Sequence, residues 1–171
     1  MKKQILHGAL ALACLSTITA AGAADVQRQA DVARRGADVM PFSLAATQHV
    51  FTRTAEGGTQ RVVARRTGDA KQVRLVREHL HEIEAQFRQG DFSGPAHIHG
   101  ADMPGLAQLQ AAPRGAVAIS YREVPGGAEL AYRTADQTLL AALHAWFDAQ
   151  VSEHGRDARS GHPGAHGKHH H

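Results

Sequence analysis

Two patterns of apolar spacing follow one another along the chain, and the pair occurs twice. Thr47–Arg53 and Gln60–Arg66 are rich in β-branched residues and partly alternate between apolar and polar positions, as do Ala116–Glu123 and Ala128–Thr134. In the stretch after each pair, apolar residues recur at steps of three and four, which is typical of amphipathic helices. The pattern predicts strand, strand, helix, repeated once.

Polar capping residues predict where the two long helices begin. Thr67 or Asp69 can cap the first helix, which should run to about Arg88, and Thr134 or Asp136 can cap the second. A Gly-Gly pair separates the two strands of each half and predicts a hairpin turn. The two halves therefore carry the same signals in the same order, which indicates an internal duplication.

Two ββα units most simply form a four-stranded antiparallel sheet with both long helices on one face, a fold of the α+β class. Residues 90–105, rich in Gly and Pro, should join the halves as a loop that leads into a short helix at Leu106–Gln110. We expect one domain over residues 41–155. A flexible lead-in or irregular helix at 24–40 should precede it, and a flexible His-rich tail at 156–171 should follow.

Residues 1–23 have the order of a secretory signal peptide. Lys2 and Lys3 precede an apolar stretch, and the small residues Ala21-Gly22-Ala23 follow it, so cleavage would leave Ala24 first. The alternative is lipid attachment at Cys14. No stretch approaches the ~20 apolar residues that a membrane span requires. We therefore expect a periplasmic or secreted protein without a membrane span.

Charge and cysteine content exclude several classes of function. The chain has 19 basic and 16 acidic side chains, a net charge of +3, and loss of Lys2 and Lys3 would leave +1. So balanced a charge argues against a nucleic-acid partner and against binding to a membrane surface. Cys14 is the single cysteine and would leave with the signal peptide, which excludes a disulfide and thiolate chemistry.

Histidine is the residue type that points to chemistry, because the chain has 13 of them. In an extended loop, His97 and His99 would project to the same side, and Met103 would add a thioether nearby. Imidazole with thioether and no thiolate suits copper, with zinc as the alternative metal. The alternative is that these are ordinary polar loop residues with a hydrophobic Met103.

His79 and His144 lie on the two predicted long helices. If a pseudo-twofold axis relates the halves, these histidines come from matching parts of the two helices, and a site near the axis could be closed by the loop. We therefore predict a metal site with His79, His99, Met103 and His144 as ligands. The alternative for each helical histidine alone is a hydrogen-bonded residue at the edge of the core.

Five segments of the chain carry a resemblance to a group of proteins. They are MPFSLAATQHVFTRTAEGGTQRV, REHL, GDFSGPAHIHGADMPGLAQL, GGAELAYRTAD and LHAWFDAQVSEHG. Across roughly residues 40–158 the chain resembles short secreted bacterial proteins with a His-rich tail that are often misnamed aspartate carbamoyltransferase. The resemblance implies site residues at His49, His79, His99, Met103, His144 and His154, whereas His81 and His97 look incidental.

The sequence offers little support for an enzyme. The Ser-Thr-Arg-Thr type of helix start that binds carbamoyl phosphate is missing, as are other catalytic motifs. We predict a periplasmic metal-binding protein for copper buffering or transfer, with the metal ion and another periplasmic metal-handling protein as partners. The alternative is a module that binds a small ligand, haem or a protein. A third hypothesis is a small enzyme with His99 and Asp102 as an acid/base pair.

Overall fold

The computed structural model describes residues 18–163, which form five α-helices and one five-stranded sheet. The α-helices are α1 (Ile18–Val39), α2 (Ala70–Arg88), α3 (Ser93–His99), α4 (Leu106–Ala111) and α5 (Gln137–His154). The strands are β1 (Thr47–Thr54), β2 (Gly57–Ala64), β3 (Ala118–Val124), β4 (Gly127–Arg133) and β5 (Ala158–Ser160). Short 3-10 turns precede β1 at Leu44–Ala46 and β5 at Gly155–Asp157.

The sheet confirms the α+β class but has one strand more than expected. Its order is β3-β4-β2-β1-β5, with antiparallel pairing except between β1 and β5, which run parallel. The prediction of a four-stranded antiparallel sheet was therefore wrong in the number of strands and in the direction of the added strand, β5. Residues 158–160, assigned to the tail, pair with β1 instead, with Ala158 opposite His49. Their backbone groups cover an edge that β1 would otherwise leave open.

The two ββα units meet at the centre of the sheet, where β2 lies beside β4. Helix α2 packs on β3 and β4, whereas α5 packs on β1 and β2, so each long helix lies chiefly over one half of the sheet. Both helices begin where the sequence predicts. The Asp69 carboxylate accepts from the Gln72 backbone N–H at 3.2 Å, and that of Asp136 accepts from the Leu139 backbone N–H at 3.1 Å.

One hydrophobic core lies between the sheet and the helices. Its largest fully buried side chains include Trp146 and Phe147 from α5, Tyr132 and Leu130 from β4, and Leu80 from α2. The aromatic rings of Trp146, Phe147 and Tyr132 contact one another at centroid distances of 5.6 to 6.0 Å. The three- and four-residue spacing of apolar positions in α2 buries Val76, Leu80, Ile83 and Phe87, as the periodicity predicts.

Two segments predicted as flexible or irregular are regular helices. Residues 24–39 belong to α1, which contacts α3 and α5 and buries Val32 completely. Residues 93–99 of the predicted loop form α3, so the expected extended arrangement of His97 and His99 was wrong. Packing of α1 against α3 explains both differences, because neither segment has the long apolar periodicity that reveals a helix by itself.

The described part of the chain, residues 18–163, contains no helix of the length and apolar character needed to cross a membrane. The predicted signal peptide lies mainly outside these residues, which include only its last six positions, and the final eight residues of the histidine-rich tail also lie outside them.

Candidate functional site: a pocket lined by four histidines

A pocket of about 150 Å³ lies between the sheet and four of the helices, and four histidines line it. Each comes from a different element: His49 from β1, His79 from α2, His99 from α3 and His154 from α5. The pocket brings together four of the six predicted site residues, which are 105 positions apart along the chain at the extremes. We call this cavity the histidine pocket.

Three of the four imidazole rings form a continuous cluster. The rings of His49 and His154 are stacked with centroids 5.5 Å apart, and the ring of His99 meets that of His154 edge-on at 5.0 Å. The ring of His79 is separated from this cluster by Phe42, which contacts His79 at a centroid distance of 5.6 Å and His49 at 5.8 Å. The pocket therefore has a cluster of three imidazoles and a fourth imidazole outside that cluster.

Local backbone structure places each member of the cluster. His49 points inward because it lies with Thr47 and Phe51 on the buried face of β1, where every second side chain points the same way. His99 and His154 are the last residues of their helices, each followed by a glycine with a positive φ, +88° at Gly100 and +52° at Gly155. The chain leaves both helices immediately after the histidine, so each ring sits at the end of its helix.

His99 is held by an ionic network. Its Nδ1 lies 2.6 Å from Oε2 of Glu153, and Oε1 of Glu153 receives a hydrogen bond from Arg28 at 2.9 Å. Arg28 also donates to the backbone carbonyl of His99 at 2.6 Å. Because a carboxylate only accepts, Nδ1 of His99 carries the proton and the lone pair of the neutral ring is on Nε2.

His154 is oriented by a neighbour one helical turn away. Its Nε2 lies 3.1 Å from Oε1 of Gln150. An amide oxygen accepts, so Nε2 of His154 carries the proton and its lone pair is on Nδ1. The cluster thus contains two imidazoles whose tautomers are set by hydrogen bonds, each with one nitrogen left to bind a ligand.

Burial keeps the pocket histidines neutral near pH 7. It lowers the pKa of His49 from 6.5 to about 4, with smaller lowering contributions from His79 and Arg65 and an opposing one from the backbone of Asp157. Burial also lowers the pKa of His79 and of His99, where it outweighs the opposing effect of Glu153. The pKa of His154 lies well below 6.5 because burial is reinforced by His49 and His99. Neutral imidazole is the form that ligates metals.

Two buried polar atoms of residues that line the pocket have no hydrogen-bond partner within residues 18–163. They are Nδ1 of His49 and Nε1 of Trp146, on side chains that are 3% and 1% exposed. Leaving a buried polar group unpaired costs about 1–3 kcal/mol. Because both residues line the same cavity, a ligand there could satisfy both atoms.

The other two predicted ligands lie elsewhere. Met103 is buried in the hydrophobic core with Leu106 and Leu109 and does not line the pocket. Nε2 of His144 lies 2.8 Å from the carbonyl oxygen of Gly57, to which it donates. His97 and His81 are exposed and do not line the pocket.

Several polar residues of the site are not among the predicted ones. Glu153 and Gln150 orient two of the histidines, while Gln60 and Glu82 line the pocket directly. The spacing of Gln150 and His154 on one helix face is a signal that could have suggested their hydrogen bond. No local pattern distinguishes Gln60, whose role follows from the packing of β2 against α5.

Within residues 18–163, no three His, Cys, Asp or Glu side chains are already arranged to hold a metal ion. Two imidazoles on one ion at a Zn–N distance of about 2.0–2.1 Å have ring centroids roughly 5 Å apart. The two pairs of rings in contact are 5.0 and 5.5 Å apart, and because His49 and His154 are stacked in parallel, their rings would have to turn before both could bind one ion. Comparison with known protein families, characterised proteins and solved structures finds no match to this chain.

Proposed function

We propose that the protein binds a divalent transition-metal ion in the histidine pocket, with His49, His99 and His154 as ligands. The observation that supports this proposal most strongly is the contiguous cluster of three buried imidazoles. Such a cluster costs stability in a hydrophobic core, because it buries polar nitrogens and leaves Nδ1 of His49 unpaired. A bound metal ion would use those nitrogens.

The Glu153–His99 hydrogen bond gives independent support. Histidines that ligate a metal usually donate their other ring nitrogen to a carboxylate or carbonyl group, which fixes the tautomer and makes the ligand more basic. Glu153 stands in this relationship to His99, and Arg28 holds the carboxylate from its other oxygen. Nε2 of His99 is therefore the nitrogen we expect on the metal.

The donor set changes the reasoning about the metal. Without Met103, the ligands are imidazoles alone, which suit zinc, copper, iron and nickel. Among the divalent ions, Cu²⁺ binds nitrogen ligands most tightly, so copper remains our first choice and zinc the alternative. We propose buffering of the ion, or its transfer to another periplasmic metal-handling protein, as the role of the site.

Binding of a small organic ligand is the second candidate. Its support is the amide-rich lining, with Gln60, Gln86 and Gln150 around the cavity. The volume of about 150 Å³ is well below the ~300–1,000 Å³ of pockets for drug-sized ligands, which argues against haem in this pocket. In this second candidate the histidines would hydrogen-bond the ligand without a metal.

Export from the cytoplasm is part of the proposal. Residues 22–27 of α1 are exposed, and the first residue of the chain with a described ion pair to another helix is Arg28, which binds Glu153. Cleavage after Ala23 would therefore leave this contact in place. Expression in a bacterial host, followed by mass spectrometry of the purified protein, should give an N-terminus at Ala24, whereas retention of residues 1–23 would contradict export by cleavage.

The experiment that tests metal binding must separate the pocket from the terminal histidines. We would use the full chain with His162, His166, His169, His170 and His171 changed to Ala. Titration with Cu²⁺ or Zn²⁺ against a competing chelator should show one tight site per chain. His99→Ala and His154→Ala should each weaken it at least about 100-fold, since each removes one of three ligands.

Two matched controls keep this test specific. His144→Ala and His81→Ala remove histidines that lie outside the pocket and should leave the affinity unchanged. No tight site in the chain without tail histidines would refute the proposal. Equal losses in the pocket variants and in the controls would refute the proposed ligand set.

A further inference from the structure

Two residues that line the histidine pocket, Trp146 and Gln60, carry hydrogen-bond donors. Nε1 of Trp146 is a donor only, and it has no acceptor within residues 18–163 although the side chain is 99% buried. Oε1 of Gln60 accepts a hydrogen bond from the hydroxyl of Tyr132 at 2.8 Å. The part of the Gln60 side chain that can bind a ligand is therefore its NH₂ group, which is also a donor.

The residues that carry these donors line the same cavity as the three imidazoles. Trp146, Gln60, His49 and His154 all line the histidine pocket. A ligand that meets both sets of groups needs acceptor atoms facing Trp146 and Gln60, and an atom that binds the metal facing the imidazoles. A carboxylate or carbonate group has both, because each of its oxygens has more than one lone pair.

The volume of the pocket and the charge of its lining further limit which ligand it can hold. A volume of about 150 Å³ corresponds to about five water molecules at ~30 Å³ each, which is enough for a metal ion and a ligand of about four heavy atoms. Glu82 also lines the pocket and would repel an anion there. The positive charge of the metal ion has to be present before an anion is favoured in this cavity.

We propose that the pocket binds its metal ion together with a small oxyanion, a carboxylate or carbonate, which accepts hydrogen bonds from Nε1 of Trp146 and the Gln60 amide. This inference rests on the metal site proposed above and names the second ligand of that site. Three histidines leave one position open on a four-coordinate ion, and the oxyanion occupies it. Both unpaired atoms then gain a partner: Nδ1 of His49 binds the metal ion, and Nε1 of Trp146 donates a hydrogen bond to the anion.

The test measures Zn²⁺ affinity of the full chain without tail histidines, by chelator competition, with and without acetate, bicarbonate or acetamide. Acetate and bicarbonate distinguish the two oxyanion sources, and acetamide has the shape of acetate without its charge. The oxyanion that belongs to the site should strengthen Zn²⁺ binding about tenfold or more, because hydrogen bonds to charged groups are among the stronger ones. Acetamide should have little effect.

Trp146→Phe removes the N–H donor and should abolish most of the oxyanion effect while Zn²⁺ binding remains. Phe92→Leu is the matched control, because Phe92 contacts Trp146 at 6.0 Å but does not line the pocket. It should keep the oxyanion effect. If Trp146→Phe does not fold, Gln60→Met takes its place and should reduce the same effect.

Trp146 is the single tryptophan of the chain, so its fluorescence gives a second readout without any substitution in the pocket. The oxyanion should shift the emission of the Zn²⁺-loaded protein and leave that of the metal-free protein unchanged. Tight Zn²⁺ binding that neither oxyanion affects would overturn this inference and leave the proposed function standing. Absence of a tight metal site would overturn both.

Discussion

Nδ1 of His99 lies 2.6 Å from Oε2 of Glu153, which is 54 positions further along the chain. This contact joins the end of α3 to the end of α5, and Arg28 of α1 binds the same carboxylate through its other oxygen. The network fixes the tautomer of one histidine in the pocket and connects three helices around it. We therefore expect its members to affect both the proposed metal binding and the position of α1.

Glu153→Gln should weaken metal binding about 10–100-fold, which is the usual effect of losing the group that orients a ligating histidine. Glutamine keeps an acceptor oxygen but loses the charge that makes His99 more basic and that binds Arg28. Chelator competition with the chain lacking tail histidines measures the change. Asp148→Asn is the control, because it breaks an ion pair with Arg53 in which both side chains are more than half exposed. An equal effect of the two changes would argue against a role for Glu153 at the site.

Stability should fall as the pH is lowered from neutral. The folded protein keeps His49 neutral down to a pKa of about 4, whereas the unfolded chain protonates it near 6.5. Between these values the unfolded state binds more protons, so the free energy of unfolding decreases as the pH falls, by up to about 1.4 kcal/mol per pH unit. The lowered pKa values of His79, His99 and His154 act in the same direction.

Urea unfolding of the metal-free protein at a series of pH values measures this dependence. His49→Leu should reduce the slope of the free energy of unfolding against pH, by at most the contribution of one bound proton. His81→Ala, at an exposed position, should leave that slope unchanged. A free energy of unfolding that is constant from about pH 7 to about pH 5 would contradict the neutral state of the buried histidines.

Met103→Leu should leave metal affinity unchanged and cost less than about 1.5 kcal/mol of stability, because it exchanges side chains of similar volume inside the core. The same titration used for the pocket variants measures the affinity, and urea unfolding measures the stability. A tenfold or larger loss of metal affinity would return Met103 to the ligand set and favour a copper site with a thioether.

Gly105→Ala should destabilise the protein by more than about 3 kcal/mol. Gly105 has a φ of +77°, and a Cβ atom there would overlap the carbonyl oxygen of Ala142 in α5. Gly68→Ala is the matched control, because Gly68 also has a positive φ, +84°, but faces open space. It should cost only about 1–2 kcal/mol. Thermal unfolding of both variants would show whether close packing of α5, rather than backbone conformation alone, restricts position 105.

The sequence by itself predicts the elements whose signals are local. Asp69 and Asp136 cap the two long helices as expected, and both hairpins form where Gly-Gly pairs mark them, because capping and turn formation involve residues only two or three positions apart. The apolar spacing of α2 likewise identifies its buried face. The α+β class follows from these signals.

Tertiary structure alone decides which histidines meet. His49 and His154 stack because β5 returns beside β1 after α5, and three residues of pairing leave no recognisable pattern in the sequence. Tertiary packing also places Met103 in the core and His144 beside the carbonyl of Gly57. Residue spacing reports the direction of a side chain relative to its own helix or strand. The neighbours of that side chain depend on how helices and strands pack, which the local spacing of residues does not encode.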